Sequence, residues 1–228
     1  MACKTCSTSS DMAFNPSIAL FVYGTLKRGF ANYNRYLRMA EHNGKARYLS
    51  TASTMNPYPM VVRPADPAIN SSGAPQLLDD PGQGFHVEGE VFLIDHDTFH
   101  AMDILEGVHR GRYCRRTIAV QLSEPRGEIR EQECVTYFFA AADESTRSLP
   151  PRAAYTMEHN LNYLLKPINE EIAALCRGDA SAPEISLPLL EGSLSKLRCN
   201  SGSSLASVST ASSSGSRARL DSDDVEVF

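Results

Sequence analysis

A glutamate that closes a helix just ahead of a glycine is well placed to move protons, and Glu106, in Ile104-Leu105-Glu106-Gly107, is such a residue. The apolar pair before it supplies a wall, and Gly107 frees the next stretch of backbone, so the carboxyl group can face a cavity. Burial there raises a carboxyl pKa. A carboxylate poised nearer neutrality is a better general base and, once protonated, a better general acid. The competing reading is a helix-end carboxylate paired with Arg110, Arg112 or Arg115. Glu88 and Glu90 are rival carboxylates, but they alternate with apolar residues and more simply form the polar face of a strand, from which either could orient a cationic group of a ligand. His109, three residues after Glu106, invites an acid/base pair, yet the Arg110-Gly111 that follows it reads as an exposed turn.

The second candidate for chemistry is the loop Tyr23-Gly24-Thr25-Leu26, which follows the apolar run Ile18 to Val22 and precedes Lys27-Arg28-Gly29. A strand ending on a glycine-containing loop exposes main-chain N–H groups, and the absence of a Cβ on Gly24 lets them approach a ligand. A helix expected over Asn32 to Met39 would bring its N-terminus to the same place, so a small anion is the natural guest. The alternative is a tight turn after a core strand. Lys27 and Arg28 either attract an anionic substrate or are solvated loop charges.

Other elements must position these residues. Tyr33, Tyr36, Leu37 and Ala40 recur at helical spacing. Tyr48 to Val62 is strand-like but interrupted by Asn56-Pro57-Tyr58-Pro59, and Arg63 to Gln83 reads as a long surface loop without periodicity. Val87 to Ile94 alternates as a strand that ends at Asp95. Asp95 or Asp97 then caps a helix carrying Phe99, Met102, Leu105 and Val108 at three-residue steps. Tyr113 to Leu122 and Cys134 to Ala140 form a hairpin with a polar connection, which makes the pairing mostly antiparallel. A helical stretch from Ala153 to Ala174, interrupted at Pro167, is expected to bury Leu161, Leu164, Leu165, Ile168, Ile172 and Leu175.

Four motifs occur in order: VYGTLKRG from Val22, PYP at Pro57-Tyr58-Pro59, VEGEVF from Val87 to Phe92, and MDILEG…Y…R across Met102 to Arg115. Together they resemble the γ-glutamyl cyclotransferase superfamily over roughly residues 19–167, and most of all its γ-glutamylamine cyclotransferase and AIG2-like branch. That branch carries YGTL followed by a basic residue and Gly, where enzymes acting on γ-glutamyl amino acids usually carry Ser-Asn after Tyr-Gly. The resemblance implies an α+β fold, with flanking helices around a small, mixed, mostly antiparallel β-barrel. It also implies a reaction in which the substrate's own α-amino nitrogen attacks its γ-carbonyl, yielding 5-oxoproline and releasing an amine. Water is not the nucleophile. Glu106 then aligns with the family's general base and acid. Tyr23, Gly24, Thr25 and Leu26 would hold the α-carboxylate or the developing oxyanion, and Tyr113 would lend a hydroxyl or a ring wall. Tyr155, Glu158, His159 and Tyr163 resemble a C-terminal family segment, except that the family's Gly-Pro between Glu and His is missing here. The leaving amine is expected to be a lysine side chain or a polyamine. A cyclotransferase for γ-glutamyl amino acids or glutathione-related compounds is the alternative, and a non-catalytic AIG2-like binding module the rival from another class.

A formal charge of −5 gives no bulk attraction to nucleic acid or an anionic membrane. No stretch approaches the ~18 apolar residues of a transmembrane helix, and the N-terminal residues lack an apolar signal core, so a cytoplasmic protein is expected. Six scattered cysteines do not resemble a disulfide framework, and Cys3-x-x-Cys6 lacks a second ligand pair. His96 and His100 are four apart with no third ligand, so neither a metal nor an organic cofactor is expected. Asn70-Ser71-Ser72 fits a glycosylation triplet without a secretory signal, and the internal Ser195-Lys196-Leu197 lies away from the C-terminus where a peroxisomal signal is read. One folded domain over 16–180 is expected, flanked by a disordered segment at 1–15 and a disordered, Ser-rich, acidic-ended tail at 181–228. The tail is either an inert linker, a phosphorylation target or a binding end for a protein partner.

Overall fold

β1 (Ile18–Val22) runs antiparallel to β5 (Glu88–Ile94), with Leu20 opposite Phe92, and lies parallel to β7 (Ile129–Phe139), with Leu20 opposite Val135. That parallel contact closes a five-stranded barrel in the order β1-β5-β2-β6-β7, where β2 is Ala46–Thr54 and β6 is Tyr113–Ser123. All other barrel pairings are antiparallel, and closure removes the open edges a five-stranded sheet would otherwise present. The expected α+β barrel with mostly antiparallel strands is therefore the observed fold. The protein is described by a computed structural model over residues 18–69, 71–123 and 129–179, which form one unit. The expectations for 1–15 and 181–228, the Cys3-x-x-Cys6 pair, Asn70 and Ser195-Lys196-Leu197 lie outside the described residues.

Alternation along β1 sends side chains to two apolar clusters. Leu20 and Val22 join Phe92, Ile94, Met102 and the helices, while Phe21 and Tyr23 join Val91, Val120, Leu122, Phe138 and Tyr155. This period of two makes each strand a partition between two cores. β5 carries Gly89 where Phe21 and the Val22 carbonyl approach, both 2.5 Å from where a Cβ would sit. The β6–β7 hairpin is longer than expected, because β7 begins at Ile129 and continues through the polar, mostly exposed Arg130 to Glu133. Ladder hydrogen bonds need only backbone, so hydropathy did not mark them.

Two expectations are corrected. The stretch 63–83 is no featureless loop: β4 (Pro75–Leu77) pairs antiparallel with β3 (Met60–Val62), and Leu77 and Leu78 are fully buried. A three-residue strand opening on a proline is too short to show a period. The expected helix from Ala153 to Ala174 is instead two short helices, α4 (Met157–Leu161) and α5 (Glu170–Arg177), joined by an extended strap over 162–169. Leu161, Leu164, Leu165 and Ile168 are exposed, and only Ile172 and Leu175 enter the core. Pro167 denies the preceding residue the helical region and lacks the N–H a helix would use, so the apolar spacing around it never becomes a stripe.

Candidate active site

The cavity measures about 290 Å³ and its walls include the loop after β1, the helical segment from Asn32, the end of α2 (His96–Glu106), the start of β6, and the strap. β4 and the turn before it add Ser72, Ala74 and Pro75.

α2 begins where the sequence indicates, with the Asp95 carboxylate accepting a hydrogen bond from Thr98 N at 2.8 Å. It ends on Gly107, whose φ of +68° is the left-handed cap that a side chain resists. Gly107 N–H thereby returns to the carbonyls of Asp103 and Ile104, and the last turn presents Ile104, Leu105 and Glu106 to the cavity. Desolvation pushes the Glu106 pKa up to about 7; Asp103 adds to the rise and Arg112 opposes it. Among the described residues no hydrogen bond or ion pair holds its carboxyl group. The expected alternative partners are otherwise engaged or more distant: Arg115 pairs with Asp103 at 3.5 Å, Arg110 donates to His109 at 2.9 Å, and Arg112 acts on Glu106 only through space.

The loop Tyr23 to Leu26 is buried and lines the same cavity. Gly24 is required, but for a reason different from ligand approach: a Cβ there would sit 2.5 Å from Cγ of Pro75. The main-chain N–H groups of Gly24, Thr25 and Leu26 have no protein partner among the described residues. Thr25 is clamped from the other side. Its carbonyl accepts from the N–H groups of Asn32 and Tyr33 at 2.9 and 3.0 Å, and its hydroxyl accepts from Asn32 Nδ2 at 2.9 Å.

Those contacts come from a helical segment with a π-helical stretch, Tyr33–Leu37, running into α1 (Arg38–His42). Wider winding is a feature often found at functional sites. It aims Asn32, Arg35 and Tyr36 into the cavity while Leu37 and Ala40 pack in the core. Sequence reasoning took these as ordinary positions of an amphipathic helix and missed Asn32, Arg35 and Tyr36 as site residues. A polar Asn and an Arg beside the inward-facing tyrosines were the only available signal.

Tyr113 is buried, and its hydroxyl donates to the carbonyl of Pro75 at 3.2 Å, so it forms a wall whose hydroxyl is already committed. Tyr23 donates to the main-chain carbonyl of Tyr137 at 2.7 Å. Tyr23, Tyr113, Tyr137 and Tyr163 all feel the charge of Glu106, and burial holds each phenol neutral by raising its pKa. The strap contributes Tyr163, Lys166, Pro167 and Asn169, so the C-terminal segment does wall the cavity even without the family's Gly-Pro. Tyr155 and His159 do not line it: Tyr155 donates to Gly73 O at 3.1 Å, and His159 stacks on Tyr155 and caps α4 through Thr156.

The rival carboxylates face elsewhere. Glu90 accepts from Arg28 N at 2.7 Å, with the Arg28 guanidinium stacked over Tyr48, and neither Glu88 nor Glu90 reaches the cavity. Lys27 is likewise committed, donating to Tyr155 O at 2.6 Å. No group of three His, Cys, Asp or Glu side chains among the described residues could hold a metal ion.

Residues 20–157, more than half of the chain, match the family described as γ-glutamyl cyclotransferase, AIG2-like. A γ-glutamylaminecyclotransferase of Homo sapiens is 35% identical over 153 residues, spanning 63% of this chain and 94% of that protein. A putative γ-glutamylcyclotransferase of Arabidopsis thaliana is 35% identical over 105 residues, but the match spans only 46% of this chain and about half, 52%, of that protein. In three dimensions the chain is similar to the crystal structure of an AIG2-like protein from Mus musculus, with a TM-score of 0.54 and 29% identity over 66% of this chain and 97% of the other.

Proposed function

The chain belongs to the AIG2-like γ-glutamyl cyclotransferase family, and on that premise we propose that it is a γ-glutamylamine cyclotransferase with Glu106 as the proton carrier. The observation that carries the reading is an unpaired carboxyl group, poised at about 7, in the same small cavity as the unpartnered N–H groups of Gly24 to Leu26. The ionised carboxyl takes a proton from the substrate's α-ammonium. The freed nitrogen attacks the γ-carbonyl, and the loop N–H groups receive the charge that develops on oxygen. Each such donor contributes about 3 kcal/mol in a site shielded from water. Glu106 then gives that proton to the departing amine as the C–N bond breaks, and the second proton shed by the ring nitrogen passes through the same carboxylate to the released amine, leaving 5-oxoproline and an alkylammonium ion. Because nucleophile and electrophile belong to one molecule, holding it folded supplies much of the acceleration, with effective molarities of ~10⁵ M or more for well-aligned pairs. A cavity of 290 Å³ lies at the small end of ligand sites, which favours a bent glutamyl unit over a large substrate.

The leaving group follows from charge. Arg35, Arg110, Arg112 and Lys166 line the cavity against the single carboxyl of Glu106. A polyamine would meet like charge at this wall, whereas a lysine carrying its own carboxylate would find a partner. γ-Glutamyl-lysine is therefore the preferred substrate in this reading, with human and other relatives bearing the γ-glutamylaminecyclotransferase name in support.

Two measurements test it. Glu106→Gln, with folding verified, should lower 5-oxoproline release by about 10²–10⁴-fold, and an unimpaired variant would reject the proton carrier. In a panel of γ-glutamyl-lysine, a γ-glutamyl polyamine, γ-glutamyl-alanine and glutathione, turnover confined to the last two would overturn the substrate assignment.

A further inference from the structure

Asp103 and Glu106 lie three residues apart on α2, hence on one face of its last turns. Side chains at this spacing are neighbours, with Cβ atoms about 5–6 Å apart. Their surroundings differ sharply. Asp103 accepts a hydrogen bond from the Tyr137 hydroxyl at 2.9 Å and pairs with Arg115 at 3.5 Å, while the Glu106 carboxyl has neither kind of partner among the described residues. Tyr137 is itself fixed, since its main-chain carbonyl accepts from Tyr23 in the substrate loop.

We propose that Asp103 is a positioning residue for Glu106: by keeping Arg115 and the Tyr137 hydroxyl as its own partners, it leaves the neighbouring carboxyl unpaired in the cavity and sets a fixed negative charge beside it. The inference rests on the proposed role of Glu106 as proton carrier. Without Asp103, the guanidinium of Arg115 loses its carboxylate partner and the negative charge beside Glu106 disappears, so Glu106 would hold its proton too weakly to act as the acid that releases the amine.

The charged and titratable groups around the pair account for the expected signs. Asp103 faces Arg115 from β6, Tyr137 from β7 and His100 from its own helix; Arg115 and Tyr137 favour its ionised form against the desolvation that opposes it. Glu106 faces Arg112 before β6, Tyr113 on β6, Tyr23 after β1, Tyr137 on β7 and Tyr163 of the strap. Arg35, Arg110 and Lys166 border the same cavity. The phenols are neutral near pH 7, so Asp103 and the cations are the groups that move the Glu106 equilibrium, and they move it in opposite directions.

The test titrates Glu106 directly in the full-length protein, by ¹³C NMR of carboxyl-labelled glutamate with the resonance assigned through Glu106→Gln. Asp103→Asn keeps the acceptor for Tyr137 but removes the charge, and should lower the Glu106 midpoint by about half to one pH unit, as one charge at this distance does in a partly screened site. Arg115→Gln should raise it, and the double variant should return it toward wild type. The acid limb of kcat/KM should follow the same order. A Glu106 midpoint unmoved in Asp103→Asn, or one moved the same way by both single variants, overturns the proposal. Should the NMR midpoints move as stated while 5-oxoproline release ignores them, the Asp103 assignment stands and the proton-carrier reading fails. If Asp103→Asn does not fold, Arg115→Gln alone decides by the direction of its shift.

Discussion

Pro75 closes directly on Gly24, its Cγ standing 2.5 Å from the position a Cβ on Gly24 would occupy. The ring belongs to β4, the glycine to the loop after β1, and both line the cavity. A proline ring cannot swing aside as a long side chain can. Gly24→Ala should therefore displace either the loop or β4, lowering stability by about 1–3 kcal/mol, the usual range for overpacking a close contact. Because the loop N–H groups move with it, kcat for 5-oxoproline release should fall more than KM rises. Denaturant unfolding and steady-state kinetics on the same variant check both.

The acid limb of kcat/KM should fall near pH 7 rather than near the ordinary glutamate value, because desolvation pushes the Glu106 pKa up to about 7 and the ionised form is the proposed base. A pH–rate profile with γ-glutamyl-lysine reads this directly. A limb near 4 to 5 would mean that Glu106 is solvated during turnover.

The same shift has a consequence for stability. Glu106 binds its proton more tightly folded than unfolded, so its contribution favours the folded state fully below about pH 4.5 and is lost as pH rises to about 7. Glu106→Gln, a neutral mimic, escapes that loss. It should match the wild type at pH 4.5 and exceed it at pH 8 by about 1–3 kcal/mol, the upper figure being the full shift and the lower allowing for water in the cavity. Urea unfolding at the two pH values provides the comparison, and a more stable but inactive variant is the expected result.

Asn32→Ala should cost about 1–2 kcal/mol, because it strips the Thr25 hydroxyl of its buried donor at 2.9 Å and leaves a gap between the π-helical segment and the substrate loop. Substrate binding should weaken as well, since Thr25 is held in place by that contact. Asn32→Asp should be worse than Asn32→Ala for a γ-glutamyl substrate, as it adds a negative charge to a cavity expected to receive a carboxylate. Isothermal titration with 5-oxoproline, the proposed product, orders the three proteins.

Lys166→Ala should raise KM for γ-glutamyl-lysine while leaving a γ-glutamyl amine without a carboxylate unaffected or improved, if the exposed Lys166 at the cavity wall is the cation that meets the carboxylate of the proposed leaving group. The loss should shrink at high salt as screening weakens the attraction. Equal effects on both substrates would place the lysine outside the recognition of the leaving amine.

Much of this protein was legible without coordinates. Alternation in Val87 to Ile94, the cap at Asp95, the glycine after Glu106 and the tyrosine-glycine loop are local signals, each set by the conformational limits of a few neighbouring residues, and each reappears at its place in the fold. What the sequence could not carry is who stands next to whom. Asp103 and Glu106 are both acids on one helix face, and only the placement of Arg115 and Tyr137 on separate strands assigns the partners to the first and leaves the second alone. The same holds for Pro75 against Gly24, and for the strap, whose helical spacing of leucines was overruled by a proline and by contact with the cavity. Period and propensity act over a few residues along the chain, whereas burial and pairing are properties of the space between segments far apart in it.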